Sequence, residues 1–194
     1  MALLTEQQLQ ALGFKALGRK VRISDKASIY NASNISIGDN VRIDDFVVLS
    51  AGSGGITLGS HIHIAVYTSL IGAGAITIGD FANLSSRVSV YSSSDDYSGE
   101  SMTNPCVPEE YKNVTHADVV VEKHVIVGCG SVILPGVTLH EGVAVGALSL
   151  VTKSCPSFGI YAGAPARFIT ERSNNVLNME HRYVNTLNSS NSDK

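Results

Sequence analysis

The chain has 194 residues, 44% of them hydrophobic and only 16% charged, which is the balance of a globular domain rather than a disordered chain. A net charge of -3 excludes the basic surface that nucleic acid requires, and no apolar run is long enough to span a bilayer. The start "MALLTEQQLQALGFK" has no basic n-region, long apolar stretch or small-residue cleavage site. The composition therefore predicts a cytoplasmic protein of one domain, residues 1–194.

In chain order, "TEQQLQALGF" comes first. Thr5 and Gln8 stand in a capping-box relation that predicts a short helix. A repeat of period six then takes over. Aliphatic residues recur at Ile37, Ile43 and Leu49, at Leu58, Ile64 and Leu70, and at Ile78, Leu84 and Val90. A small or β-branched residue usually follows four positions later, as at Val41, Ile62, Ala82, Val125, Ser131 and Ser149. Gly and Asp mark the turns in "IGDN", "LGSH" and "IGDF". A helix would scatter such residues around its circumference. Short parallel strands joined by tight turns keep them in register, three to a coil of roughly eighteen residues. The expected architecture is all-β, a parallel β-helix with the aliphatic residues stacked along its axis.

The stretch "VSVYSSSDDYSGESMTN" breaks this rhythm after Val90. Residues 91–118 read as a structureless loop, longer than ordinary connections and of the kind that is commonly functional. The period resumes at Val121, Val127, Ile133, Leu139, Val145 and Val151. "ERSNNVLNMEHRYVNTL" predicts a second helix, and the polar tail from about 186 to 194 is expected to fray.

Ionisable residues are few. In "GSHIHIAVY", His61 and His63 are two apart and would share one side of a strand. Counting coils puts Arg42, His63 and Asn83 each one position before an inward aliphatic, hence in one outward column expected to abut the start of the loop. Such a column could grip a polar substrate or supply a base, given the near-neutral titration of imidazole. His124 and His140 fall at turns and are expected in solvent; His116 lies in the loop without a defined role. The HxH pair has no third partner spaced to hold a metal, so none is expected. Three cysteines, Cys106, Cys129 and Cys155, are widely spaced and expected to be small buried residues.

The repeat, the interruption after Val90 and the terminal "YAGAPARFI" together resemble the hexapeptide-repeat acyltransferases along essentially the whole chain. "LTEQQLQALGFKALG", "SDKASIYN", "SSRVSVYSSSDDYSG" and "GIYAGAPAR" narrow the likeness to the dTDP-4-amino-4,6-dideoxyglucose (viosamine) N-acetyltransferases. This resemblance implies a left-handed parallel β-helix of hexapeptide repeats and a homotrimer with acetyl-CoA bound between neighbouring prisms. It further implies N-acetylation of a dTDP-4-amino-4,6-dideoxyhexose for bacterial surface polysaccharide such as O-antigen lipopolysaccharide.

By the same likeness, small turn residues in "VIVGCGSVILPG" and "VAVGALSLVTKS" would receive CoA: Gly128, Cys129, Gly146, Ala147, Ser149, Thr152 and Lys153. Arg167 of "GAPARFI" would meet its phosphates. Small residues also simply permit tight turns, which is the reading preferred for Gly136 and Gly142. Related sugar O-acetyltransferases carry a histidine where Asp95 stands. A hydroxyl acceptor profits from such a base, whereas a sugar amine titrating near about 8, like an α-amino group, can arrive partly deprotonated. Asp95 and His63 are thus the catalytic candidates, with Arg42, Asn83, Tyr91 and Asp96 binding the nucleotide-linked amino sugar. Adjacent aspartates are also ordinary solvated turn residues. The alternative activity is sugar O-acetylation. A zinc hydrolyase lacks its third histidine here, and an ice-binding helix lacks regular outward threonines.

Overall fold

The computed structural model describes residues 2–192, with side chains through 186. It is a parallel β-helix of about seven coils, whose three faces are sheets of six, eight and six strands. The first face includes Ile35–Ile37 and Ile76–Ile78, the second Arg42–Ile43, His63–Ile64 and Asn83–Leu84, and the third Val48–Ala51 and Ser89–Tyr91.

Each inward aliphatic named above, from Ile37 to Val151, is at most 3% exposed. The residues four positions on are buried as well, Ser131 and Ser149 among them. The period of six is thus the fold: a buried aliphatic in each repeat strand and a buried residue at the corner, with first-face strands such as Ile35–Ile37 and Ile76–Ile78 burying two, repeated along an apolar axis. Corners turn through left-handed backbone, as at His61, Phe81 and His124. Gly142 is also left-handed there (φ +70°), and a Cβ on it would fall 2.3 Å from the Phe158 ring, so its smallness is structural.

Both ends are finished differently from the middle. Helix α1 (Glu6–Ala11) carries the expected capping box, Thr5 accepting from the Gln8 amide and Gln8 from the Thr5 amide, and buries Leu9. At the other end Arg167–Glu171 pairs antiparallel with Gly159–Ala162. Helix α2 spans Val176–Ser192. It runs through most of the segment expected to fray, while 193 and 194 lie outside the described residues. Among the described residues no helix is long and apolar enough to cross a membrane.

The excursion at 91–118 has more structure than expected. Ser93–Ser94 pairs antiparallel with Thr115–His116, and a 3-10 turn covers Glu109–Tyr111. The His116 ring closes this stem, Nδ1 lying 2.7 Å from Ser93 Oγ. Asp118 then accepts from the Ala75 amide at 2.8 Å, and Val119 re-enters the first face in register with Ile76. The excursion is therefore a clamped side branch that returns the chain to the coil it would have occupied anyway.

Candidate active site

The outward column of the second face forms as counted: Arg42, His63 and Asn83 are consecutive register partners. Sequence reading missed its central member. Asp44 lies two residues after Arg42, with its side chain only 8% exposed. It accepts from Arg42 Nε at 2.7 Å and from His63 Nε2 at 2.8 Å. The other ring nitrogen, His63 Nδ1, is 3.2 Å from Asn83 Oδ1. Burial alone would raise the Asp44 carboxyl. The hydrogen bonds from His63 and Arg42 outweigh that, and it sits below the usual carboxylate range. Above Asn83 the column turns apolar, with Ile126 and then Ala144 in register.

The other histidines leave this face. His61 does not share the side of His63, because left-handed backbone at the corner swings it away. Its ring stacks on Phe81 (4.7 Å between centroids), which stacks on His124 (5.2 Å). His124 is buried at 5% exposure rather than solvated. Helix α2 covers it: Glu180 bridges His124 and Lys123, and Tyr183 stands edge-on to His61 and Phe81. His140 keeps a half-exposed side chain beside Glu122. Among the described residues no group of three or more His, Cys, Asp or Glu is placed to hold a metal.

Nor does the column abut the loop within one chain. The excursion leaves from the third face, at the corner leading back to the first, which lies opposite the second face. Tyr91 ends the last third-face strand before the break, half-buried and in register with Ile71. Asp95 is exposed on the branch. Asp96 accepts from the Ser98 amide at 2.8 Å, and bonds from Ser98 and Ser101 lower its carboxyl. Of the two aspartates, Asp96 is spent on its own turn.

The corner between the second and third faces changes character along the axis. In the lower coils it carries an exposed ladder, Phe46 stacked on Tyr67 at 5.0 Å, with Lys26 over one ring and Arg87 over the other. Higher up it narrows to Gly128–Cys129 and Gly146–Ala147, with Cys129 and Ala147 exposed. A Cβ on Gly128 would strike the Ala147 amide at 2.5 Å, so the coils approach closely here, and beside them Leu148 stands 76% exposed. Ser149 is no ligand group. It is buried, its hydroxyl donating to the Gly146 carbonyl and accepting from the Gly163 amide. Arg167 stands exposed near the strip, in register with Ala162. Thr152 and Lys153 are exposed after Leu150–Val151, at the corner that the loop uses. Only Cys155 is the buried cysteine expected, and burial pushes its thiol up to about 11; Cys106 and Cys129 are exposed.

The chain is 58% identical over 180 residues to the dTDP-4-amino-4,6-dideoxy-D-glucose acyltransferase of Escherichia coli, covering 93% of this chain and 94% of the relative. The chain belongs to this acyltransferase family. No family model matches it. The N-acyltransferase AntD from Bacillus cereus, solved with dTDP and 3-hydroxybutyryl-CoA, superposes with a TM-score of 0.93 at 45% identity. That match covers 97% of this chain and all of the other, and a further AntD structure holds dTDP-4-amino-4,6-dideoxyglucose and coenzyme A. A maltose O-acetyltransferase from Clostridium difficile, 22% identical with a TM-score of 0.58, shares the fold alone. The fold is the left-handed β-helix that the hexapeptide resemblance implied.

Proposed function

We propose that this acyltransferase moves the acetyl group of acetyl-CoA to the amino group of a dTDP-4-amino-4,6-dideoxyhexose. One observation carries the reading: a polar row, Arg42, Asp44, His63 and Asn83, lies on the second face, and a strip of small residues, Gly128, Cys129, Gly146 and Ala147, lies higher up at the corner bordering that face. The strip suits a narrow pantetheine arm that hydrogen-bonds to backbone; the exposed Arg167 beside it, and Lys153 contributed from the other corner of a neighbouring copy, suit its phosphates. The polar row suits the sugar nucleotide. Relatives named for this substrate and solved with both ligands support the assignment.

The reaction needs no metal. The amine nitrogen attacks the thioester carbon, the carbonyl electrons move to oxygen and return, and the carbon–sulfur bond breaks. Sulfur leaves as thiolate and takes up the proton that nitrogen sheds. The exposed Asp95 carboxylate, with Tyr91 at the base of the same branch, binds and orients the ammonium form, which releases one proton to water before it attacks.

Because that branch leaves the corner opposite the polar row, the site is shared between copies in a cytoplasmic homotrimer. The branch offers Asp95, Glu100 and exposed Tyr97 and Met102, and the lower corner offers Lys26, Arg87, Phe46 and Tyr67, which is complementary in charge and in apolar area. The product would serve O-antigen assembly.

Incubation with acetyl-CoA and dTDP-4-amino-4,6-dideoxyglucose tests the chemistry. An acetylated sugar nucleotide with matching thiol release supports it, and thiol at the background hydrolysis rate rejects it. Co-expression of Asp95→Ala with Asn83→Ala tests the sharing: recovery well above either variant alone is expected, and no recovery would put the whole site on one chain.

A further inference from the structure

A general base must aim a free nitrogen lone pair at the proton it takes. Both His63 nitrogens already face protein groups, Nε2 the Asp44 carboxylate at 2.8 Å and Nδ1 the Asn83 Oδ1 at 3.2 Å, so neither is turned toward open space. Arg42 fixes Asp44 from its other side. The row is thus a continuous string of contacts, with Arg42 and His63 both donating to Asp44 and His63 reaching Asn83 from its other side. It ends on the Asn83 carboxamide, held with its oxygen toward the ring and its Nδ2 hydrogens away from it. Among the described residues nothing accepts from Nδ2.

Asn83 is also where the column changes chemistry. The next residue above it is Ile126, and the small strip begins at Gly128 one coil up. An amide donor at that boundary lies where the end of a pantetheine arm would bring its thioester. We infer that Asn83 is a catalytic residue, donating from Nδ2 to the carbonyl oxygen that becomes negative as the amine attacks. Asp44 and His63 are positioning residues that hold its carboxamide, and His63 does not act as the general base. The inference rests on the acyl-transfer reading above and assigns roles within that site.

The test uses the full-length protein, acetyl-CoA and dTDP-4-amino-4,6-dideoxyglucose, with kcat and KM measured across pH. Asn83→Ala and the near-isosteric Asn83→Asp are expected to lose about 10²–10³-fold in kcat with little change in either KM, as for a lost oxyanion donor. His63→Gln, which keeps a donor for Asp44, is expected to rescue much of what His63→Ala loses, with the acid limb of the wild-type pH profile retained. Thermal melts identify a variant that fails by unfolding, and the Asn83→Asp and His63→Gln pair then decides.

Asn83 variants within a few-fold of wild type would overturn the donor role. A His63→Gln loss of about 10²–10⁴-fold together with a displaced acid limb would make His63 the base. Wild-type protein inert toward this sugar nucleotide would overturn the functional reading and this inference with it. Active wild type with indifferent Asn83 variants overturns this inference alone.

Discussion

Two columns of side chains run up the second face one residue apart, and they obey different rules. The inward column, Ile43, Ile64, Leu84, Val127 and Val145, is uniform and buried. The outward column, Arg42, His63, Asn83, Ile126 and Ala144, holds almost every kind of chemistry on the same strands. Both share one set of backbone hydrogen bonds, so the backbone does not separate them. The axis does: an inward residue meets copies of its own kind above and below, and an outward one meets whatever the next coil carries. A β-helix therefore holds its shape with one column and leaves its neighbour free to carry a site.

Substitutions one residue apart should break the two columns differently. Leu84→Ala removes a fully buried side chain from the axis and should cost about 2–5 kcal/mol, read as a lower denaturant midpoint. Asn83→Ala, its immediate neighbour, should move that midpoint by less than about 0.5 kcal/mol, as surface changes do, while activity falls.

Asp44→Asn lies between them, since it keeps an acceptor for Arg42 and His63 and gives up only the charge in two bonds whose outer partners are half-exposed. Its pH dependence has a definite sign. The folded carboxyl is lowered from 3.8, so Asp44 contributes stability that is present above that value and lost as pH falls through the lower folded one. Acid unfolding of Asp44→Asn should consequently show a shallower slope below about pH 4 than wild type.

Thr5→Ala should cost about 1 kcal/mol through the lost cap of α1, far from either column. Arg167→Ala and Lys153→Ala should leave the melt in place and weaken CoA binding several-fold, checked by calorimetry with free CoA.

The sequence exposes the repeat because a period of six has only one physical realisation with every aliphatic buried. It exposes Arg42, His63 and Asn83 for the same reason, since counting along the period yields their register. Asp44 escaped because "RIDDF" reads as turn acids, and its histidine partner lies a whole coil away along the chain. His124 escaped because its cover is Glu180, 56 residues later, which no local pattern foretells. The branch stem escaped because "SS" against "TH" offers no alternation of apolar and polar residues, only two register pairs held by a side-chain clasp.

The antiparallel strand Arg167–Glu171 has a consequence beyond its own coil. A parallel solenoid ends in open strand edges that could accept another molecule's coil and grow without limit. Here the last Gly159–Ala162 edge is taken by a strand of reversed polarity, and α1 lies over the opposite end beside Leu3, which bridges antiparallel to Ser24. On the second face, then, neither end presents an open parallel edge. Such capping discourages end-to-end growth along this face and leaves the sides of the prism as the surface for contacts between copies.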